Sequence, residues 1–493
     1  MDGTPESPLQ PQQFTPTQSQ TFPAKPQKPK RARMVVLFVA IILLWAAAGC
    51  LYWQKHNHSS QVSSRPSLTI YYNDGKSVLW KTGDSTTNNN APAFVSYVRA
   101  QLRSMYGNKY TNQGQWAVTT TLNKTLQGVA KDEVHEHKAT LTSNGANDSS
   151  FIAENVTNGQ VVSWVGGITS LRGAYDGLIG TGLSGISTSE LPIYVGSLQL
   201  PFTYASYLEN TSGSVNTILD DAQGPLPGWP CTDKSVPSSS SETGNCLWDE
   251  DHEYLGPMTL SQALSEGRNV PAVEAANDID DANATNMVDY NPNVSLSINK
   301  IIATSNAMGS DGACYQPSTT ILTFTKQEQT QCGLAAAIGD AFFATPTSLL
   351  EAYATLANSG GRLPQAVILK TSLNGKTDYE WRQTKTVQAI HKDTALALTN
   401  ALSDTNTSSL QADKSMFITR DGTQTAISYG GNSNFTTGDV QYSSKYAAEL
   451  WVEGQQYVNQ PDVADGGYYA NTLNSSIGDV MMPVTYGWMN TVE

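Results

Sequence analysis

The residues with the spacing of chemical machinery lie at Val195-Gly196-Ser197-Leu198-Gln199-Leu200-Pro201. A serine follows a glycine and precedes an apolar run. A serine hydroxyl is a weak nucleophile until a nearby base takes its proton. In a Ser-x-x-Lys arrangement, one helical turn brings a lysine to that duty, and burial keeps its amine neutral enough to act. Here the fourth position is Leu200. Ser197 therefore reads as a nucleophile whose base has been removed.

The other candidate groups are weaker. Ser297-Ile298-Asn299-Lys300 is the one complete Ser-x-x-Lys, but no glycine precedes it. His135 and His137 would diverge by about 200° on a helix and cannot share a metal. Asp249-Glu250-Asp251 reads as a wet loop rather than a cation site. No metal site and no cofactor is expected. Cys231, Cys246, Cys314 and Cys332 are spaced as two local pairs, 231/246 and 314/332. Two disulfides in an oxidising exterior are the simplest reading, and four buried thiols the rival one.

Those residues need elements to hold them. Leu68, Ile70 and Tyr72 alternate as a strand does. Phe94, Tyr97, Val98, Leu102 and Met105 share a helical face that Gly107 closes. A second helix starts near Leu122 and includes Leu126 and Val129. Phe151 to Trp164 reads as a hairpin turning at Thr157-Asn158-Gly159, because Asn-Gly between apolar runs suits a tight turn. Helices are expected over Leu260 to Ala276, Gly333 to Phe343 and Pro346 to Asn358. The last strands gather between Thr425 and Gly454. Strands at both ends with helices between them give an α+β fold.

Charge divides the 493 residues. The net charge is −14, yet residues 1–33 hold Lys25, Lys28, Lys30, Arg31 and Arg33 against Asp2 and Glu6. The rest is acidic, which excludes nucleic acid as a partner. Residues 1–33 are rich in Pro, Gln, Ser and Thr and read as a disordered cytoplasmic tail. Residues 34–53 carry no charge and would span about 30 Å as a transmembrane helix. The basic cluster before them places the N-terminus in the cytoplasm and the C-terminal body outside, a single pass through the plasma membrane. A cleaved leader and a lipid-attachment box at Ala47-Ala48-Gly49-Cys50 are the rival readings. Residues 54–66 form a stalk.

Four segments together resemble the transpeptidase domain of penicillin-binding proteins, in particular the bifunctional class. They are Gln115 to Gln127, Phe151 to Gly167, Met258 to Val273, and Pro346 to Gly361, and they occur in the family's order. No room is left for the glycosyltransferase domain of that class. The resemblance implies a linker or pedestal region over 67–150 and a transpeptidase-like domain over 151–493. It implies the serine D,D-peptidase/β-lactamase-like fold, an antiparallel sheet flanked by helices.

The family's motifs fall on this chain as follows. Ser197 matches the nucleophile and Leu200 stands for the lysine base. The second motif, Ser-x-Asn, reads Gly267-Arg268-Asn269, so the relay hydroxyl is missing and Asn269 is kept. The third, Lys-Thr-Gly-Thr on a strand beside the nucleophile, is matched to Arg420-Asp421-Gly422-Thr423. There Asp421 would oppose a substrate carboxylate. Losses at three separate places point to a transpeptidase homologue that no longer turns over, and to a binding or scaffolding role in peptidoglycan synthesis. Its partners would be cell-wall synthesis proteins or peptidoglycan stem peptides. The alternative is an active D,D-transpeptidase or carboxypeptidase acylated at Ser197.

Overall fold

The computed structural model describes residues 65–85, 90–166, 193–237, 245–249, 251–279, 294–314, 333–340, 342–405, 414–432, 436–459, 467–474 and 477–493. Residues 1–64, which include the tail and the apolar run 34–53, lie outside the described residues. Among those described, no helix is long and apolar enough to cross a membrane.

The alternation from Leu68 forms β1 (Ser67–Tyr71), with Leu68 and Ile70 buried. It pairs antiparallel with β2 (Val78–Lys81) and parallel with β3 (Gln115–Thr120). Helix α1 (Pro92–Tyr106) opens on a proline, buries Phe94, Val98 and Leu102, and leaves Met105 40% exposed. Helix α2 (Lys124–Ser143) is capped by the Asn123 side chain, which accepts from the backbone N–H of Thr125 and Leu126.

The central sheet is antiparallel and five-stranded. Strands β4 (Asp148–Asn155) and β5 (Gln160–Gly166) make the expected hairpin, turning at Thr157-Asn158-Gly159. Strands β12 (Ala426–Asn432), β13 (Thr436–Tyr442) and β14 (Tyr446–Glu453) complete the order β12-β13-β14-β4-β5. Its register sets Ser428, Val440, Glu449, Ile152 and Trp164 in one row across all five strands. Period two divides the faces. Phe151, Ala153, Ala448, Leu450 and Val452 pack with α2 and α8 (Ile477–Val492), around Trp488 and Met481. The opposite face meets α7 (Pro346–Ala357), which Thr345 caps and Pro346 starts. That interior holds acids: burial pushes the Glu449 carboxyl well above the usual range.

Four further helices follow the β4–β5 hairpin in the chain. They are α3 (Leu200–Asn210), α4 (Leu260–Ser265), α5 (Asn269–Asp278) and α6 (Val294–Met308). The helix expected over Leu260 to Ala276 is thus two. A capping box between Thr259 and Gln262 starts the first, and Gly267 at φ +67° breaks the run. The expected helix over Gly333 to Phe343 is a 3-10 turn, Leu334–Ile338, followed by β9 (Phe342–Ala344), which pairs with β6 (Ile193–Tyr194).

The division expected at residue 150 falls inside β4. Moreover β10 (Ile368–Leu373) and β11 (Lys376–Glu380) join the N-terminal sheet, whose order is β11-β10-β3-β1-β2. Residues 65–493 form one compact unit for that reason. A disulfide joins Cys231 to Cys246, 15 residues apart. Cys314 is disulfide-bonded too, while Cys332 lies outside the described residues.

Candidate functional site around Ser197

The chain reaches Ser197 from β6 through a tight 3-10 turn, Gly196–Gln199, and then enters α3. Two glycines let the sheet edge come against this turn. A Cβ on Gly196 would stand 2.3 Å from the Gly431 carbonyl oxygen, and one on Gly430 would stand 2.4 Å from the Leu198 nitrogen and 2.8 Å from that of Ser197. Those distances are closer than any side chain tolerates, so only glycine permits the contact. The strand beside the nucleophile is therefore β12, and the residues facing it are Ser428-Tyr429-Gly430-Gly431.

This corrects the sequence expectation. Arg420-Asp421-Gly422-Thr423 precedes the strand and forms an exposed turn. Asp421 closes that turn by accepting from the Thr419 hydroxyl (2.5 Å) and the Thr423 N–H (3.1 Å). The same hydrogen bonds, Thr419 foremost, lower its pKa. The Arg420 N–H is held by Asn490 Oδ1 on α8 (2.6 Å). Asp421 does not face Ser197, and the repulsion expected from it does not arise there. The signal for the true strand was the Gly430-Gly431 pair inside the expected strand region, since close backbone approach needs glycine.

Among the described residues, the positions that correspond to the Ser-x-x-Lys base and to the strand lysine hold Leu200 and Ser428. Leu200 is 2% exposed, an apolar side chain where the base would sit. Ser428 occupies the strand position two residues before Gly430. Its Oγ lies 2.8 Å from the Tyr353 hydroxyl of α7, which also lies 3.0 Å from the Leu198 carbonyl oxygen. Tyr353 thus ties the strand to the turn through the core. Burial raises its phenol well above the ordinary value, which keeps it neutral and unable to serve as a base. Among the described residues no side chain hydrogen-bonds the Ser197 hydroxyl.

Sequence reading passed over Arg268 as the variable middle of its motif, and took Asp249 to Asp251 for a wet loop. The structure buries Arg268 to 2% exposure and Asp249 to 3%. Arg268 Nε donates to Asp221 Oδ2 (2.9 Å) and Nη1 to Asp251 Oδ2 (2.6 Å), while Nη2 lies 3.2 Å from Asp249. Nη2 also donates to the Glu253 carbonyl. Burial first, and then the neighbouring Asp221, raise the Asp249 carboxyl to about 8. Next to this cage, the Asn269 N–H donates to Asp249 and its side-chain amide donates to the Trp248 carbonyl (3.2 Å). Asn269 opens α5, which packs against α3, the helix that follows Ser197. Gly267 supplies the positive-φ turn and no hydroxyl. Ser297 is fully buried on α6, and among the described residues its Oγ has no hydrogen-bond partner.

Comparison with solved structures places this architecture. The penicillin-binding protein PonA1 from Mycobacterium tuberculosis, in complex with penicillin V, superposes with a TM-score of 0.56 at 15% identity, covering 81% of this chain and 93% of the other. A second structure of PonA1 gives 0.56 at 16% identity, covering 80% and 89%. The fold is that of a penicillin-binding protein transpeptidase. Comparison of the sequence with family models and with curated proteins finds no match.

Proposed function

We propose that this chain is a catalytically inert transpeptidase-fold protein of the cell envelope, which binds or scaffolds in peptidoglycan synthesis. One observation carries the reading: the three places that would activate Ser197 and hold a substrate carboxylate present Leu200, Gly267 and Ser428-Tyr429-Gly430-Gly431. A hydroxyl with neither base nor relay loses most of its reactivity, because the members of such a unit act together. The close seating of Gly430 against the Ser197 turn preserves the shape of the groove without its chemistry. The chain is anchored by residues 34–53, with the body outside, and the Cys231–Cys246 disulfide suits that oxidising side. Its partners are wall-synthesis proteins or stem peptides.

Incubation with penicillin V followed by intact-protein mass spectrometry tests this. The wild type should gain no adduct. An adduct that disappears in Ser197→Ala would overturn the proposal in favour of an active, acylated enzyme. Leu200→Lys combined with Gly267→Ser and Ser428→Lys is the smallest set expected to restore slow acylation. Leu200→Lys alone adds a charge to a buried apolar position and should not.

A further inference from the structure

A cleft opens at one end of the central sheet, outside the Ser197 turn. Its floor is a row of three side chains. Thr436 on β13 is paired directly with Glu453 on β14, which is paired directly with Asp148 on β4. Trp451, Ile193 and Pro346 form apolar walls. Two features of that row are unusual. Like charges placed directly opposite on neighbouring strands destabilise a sheet. Glu453 is also only 5% exposed, and among the described residues neither of its carboxylate oxygens has a hydrogen-bond partner. A buried carboxylate without partners is costly unless something in the cleft meets it.

The ligand that meets it must carry positive charge and also suit apolar walls. Calcium and magnesium take six or more oxygens, and three side chains flanked by proline, isoleucine and indole do not supply them. A primary ammonium presents three N–H donors, and the row presents three acceptors. An alkyl stem behind it would lie against Trp451, Ile193 and Pro346, whose indole also favours a cation. We propose that this cleft is a receptor for a primary alkylammonium group, with Glu453 and Asp148 as its counter-charges and Thr436 as its third acceptor. Burial, with Asp148 second, pushes the Glu453 carboxyl up to about 8. A bound ammonium replaces the proton held there. The inference stands whichever way Ser197 behaves.

Isothermal titration of the full chain with n-butylammonium chloride at pH 8.5, where the amine is still charged, tests it. Saturable one-site binding is expected, with n-butanol, the uncharged analogue, giving none. Glu453→Gln keeps the shape and should weaken binding roughly tenfold or more, since charge-assisted hydrogen bonds are lost. Asp421→Asn, an exposed carboxylate elsewhere, should change nothing. If Glu453→Gln does not fold, Thr436→Val serves and should also weaken binding. Absence of saturable binding, equal binding of butanol, undiminished binding in the folded Glu453 variant, or calcium competing for the same site would each overturn the proposal.

Discussion

Replacing Glu154 by glutamine should reshape the pH dependence of stability. Glu154 lies on β4 and is 1% exposed. One oxygen accepts from Gln365 Nε2 at 2.6 Å. Burial, with the negative Glu351 nearby, raises its pKa from 4.5 to about 8. The folded chain therefore keeps a proton that the unfolded chain releases above about pH 4.5. Its stabilising contribution is fully present below that pH and is lost as pH rises towards 8. Each pH unit in this window is worth about 1.4 kcal/mol. From pH 5 to pH 8 the wild type should lose roughly 4 kcal/mol through this one group. Glutamine cannot ionise, and its carbonyl can still accept from Gln365. The other buried acids are common to both proteins and cancel in the difference. Urea unfolding of the two at pH 5, 6, 7 and 8 measures it. Glu154→Gln should match the wild type at pH 5 and exceed it by several kcal/mol at pH 8. A gap that stays constant across those four pH values would refute the reasoning.

Three further outcomes follow from packing and pairing. Gly430→Ala sets a methyl 2.4 Å from the backbone nitrogen of Leu198, which cannot yield cheaply; a loss of about 1–3 kcal/mol is expected in thermal unfolding, with faster proteolysis around Ser197. Arg268→Met leaves Asp221 and Asp249 buried without their cation and should cost about 3–5 kcal/mol at pH 8, and less at pH 5, where Asp249, raised to about 8, holds its proton. Cys231→Ala with Cys246→Ala opens a loop whose ends are 15 residues apart and should lower the urea midpoint by an amount equivalent to about 3 kcal/mol.

Local signals in the sequence led to the local elements. Asn158-Gly159 marked the hairpin, and the run from Pro346 to Asn358 marked α7. They could not reveal contacts made across the chain. Arg268 meets Asp221 from 47 residues away, and nothing at the motif itself announces that pairing. The strand beside Ser197 was placed too early because Arg-Asp-Gly-Thr resembles the expected letters. Ser-Tyr-Gly-Gly shares only the glycine, and its fitness shows only when the backbone of Leu198 is laid against Gly430. Leu200 and Gly267 were legible because spacing from Ser197 and from the Asn269 to Val273 run fixed their places. The break at Gly267 was hidden by the helical pattern on either side of it.

The hairpin of β10 and β11 has a consequence for the order in which the chain is made. Strand β3 pairs with β1 on one side and with β10 on the other. Thr120 and Ile368 are thus neighbours in the sheet, although roughly 250 residues separate them. A ribosome adding about 5–20 residues per second needs more than ten seconds to cover that span. Throughout that interval the first strands have one edge of N–H and C=O groups open to any other extended chain. The part synthesised first is therefore among the last to be completed, and its safe passage depends on what covers β3 while the ribosome is still working.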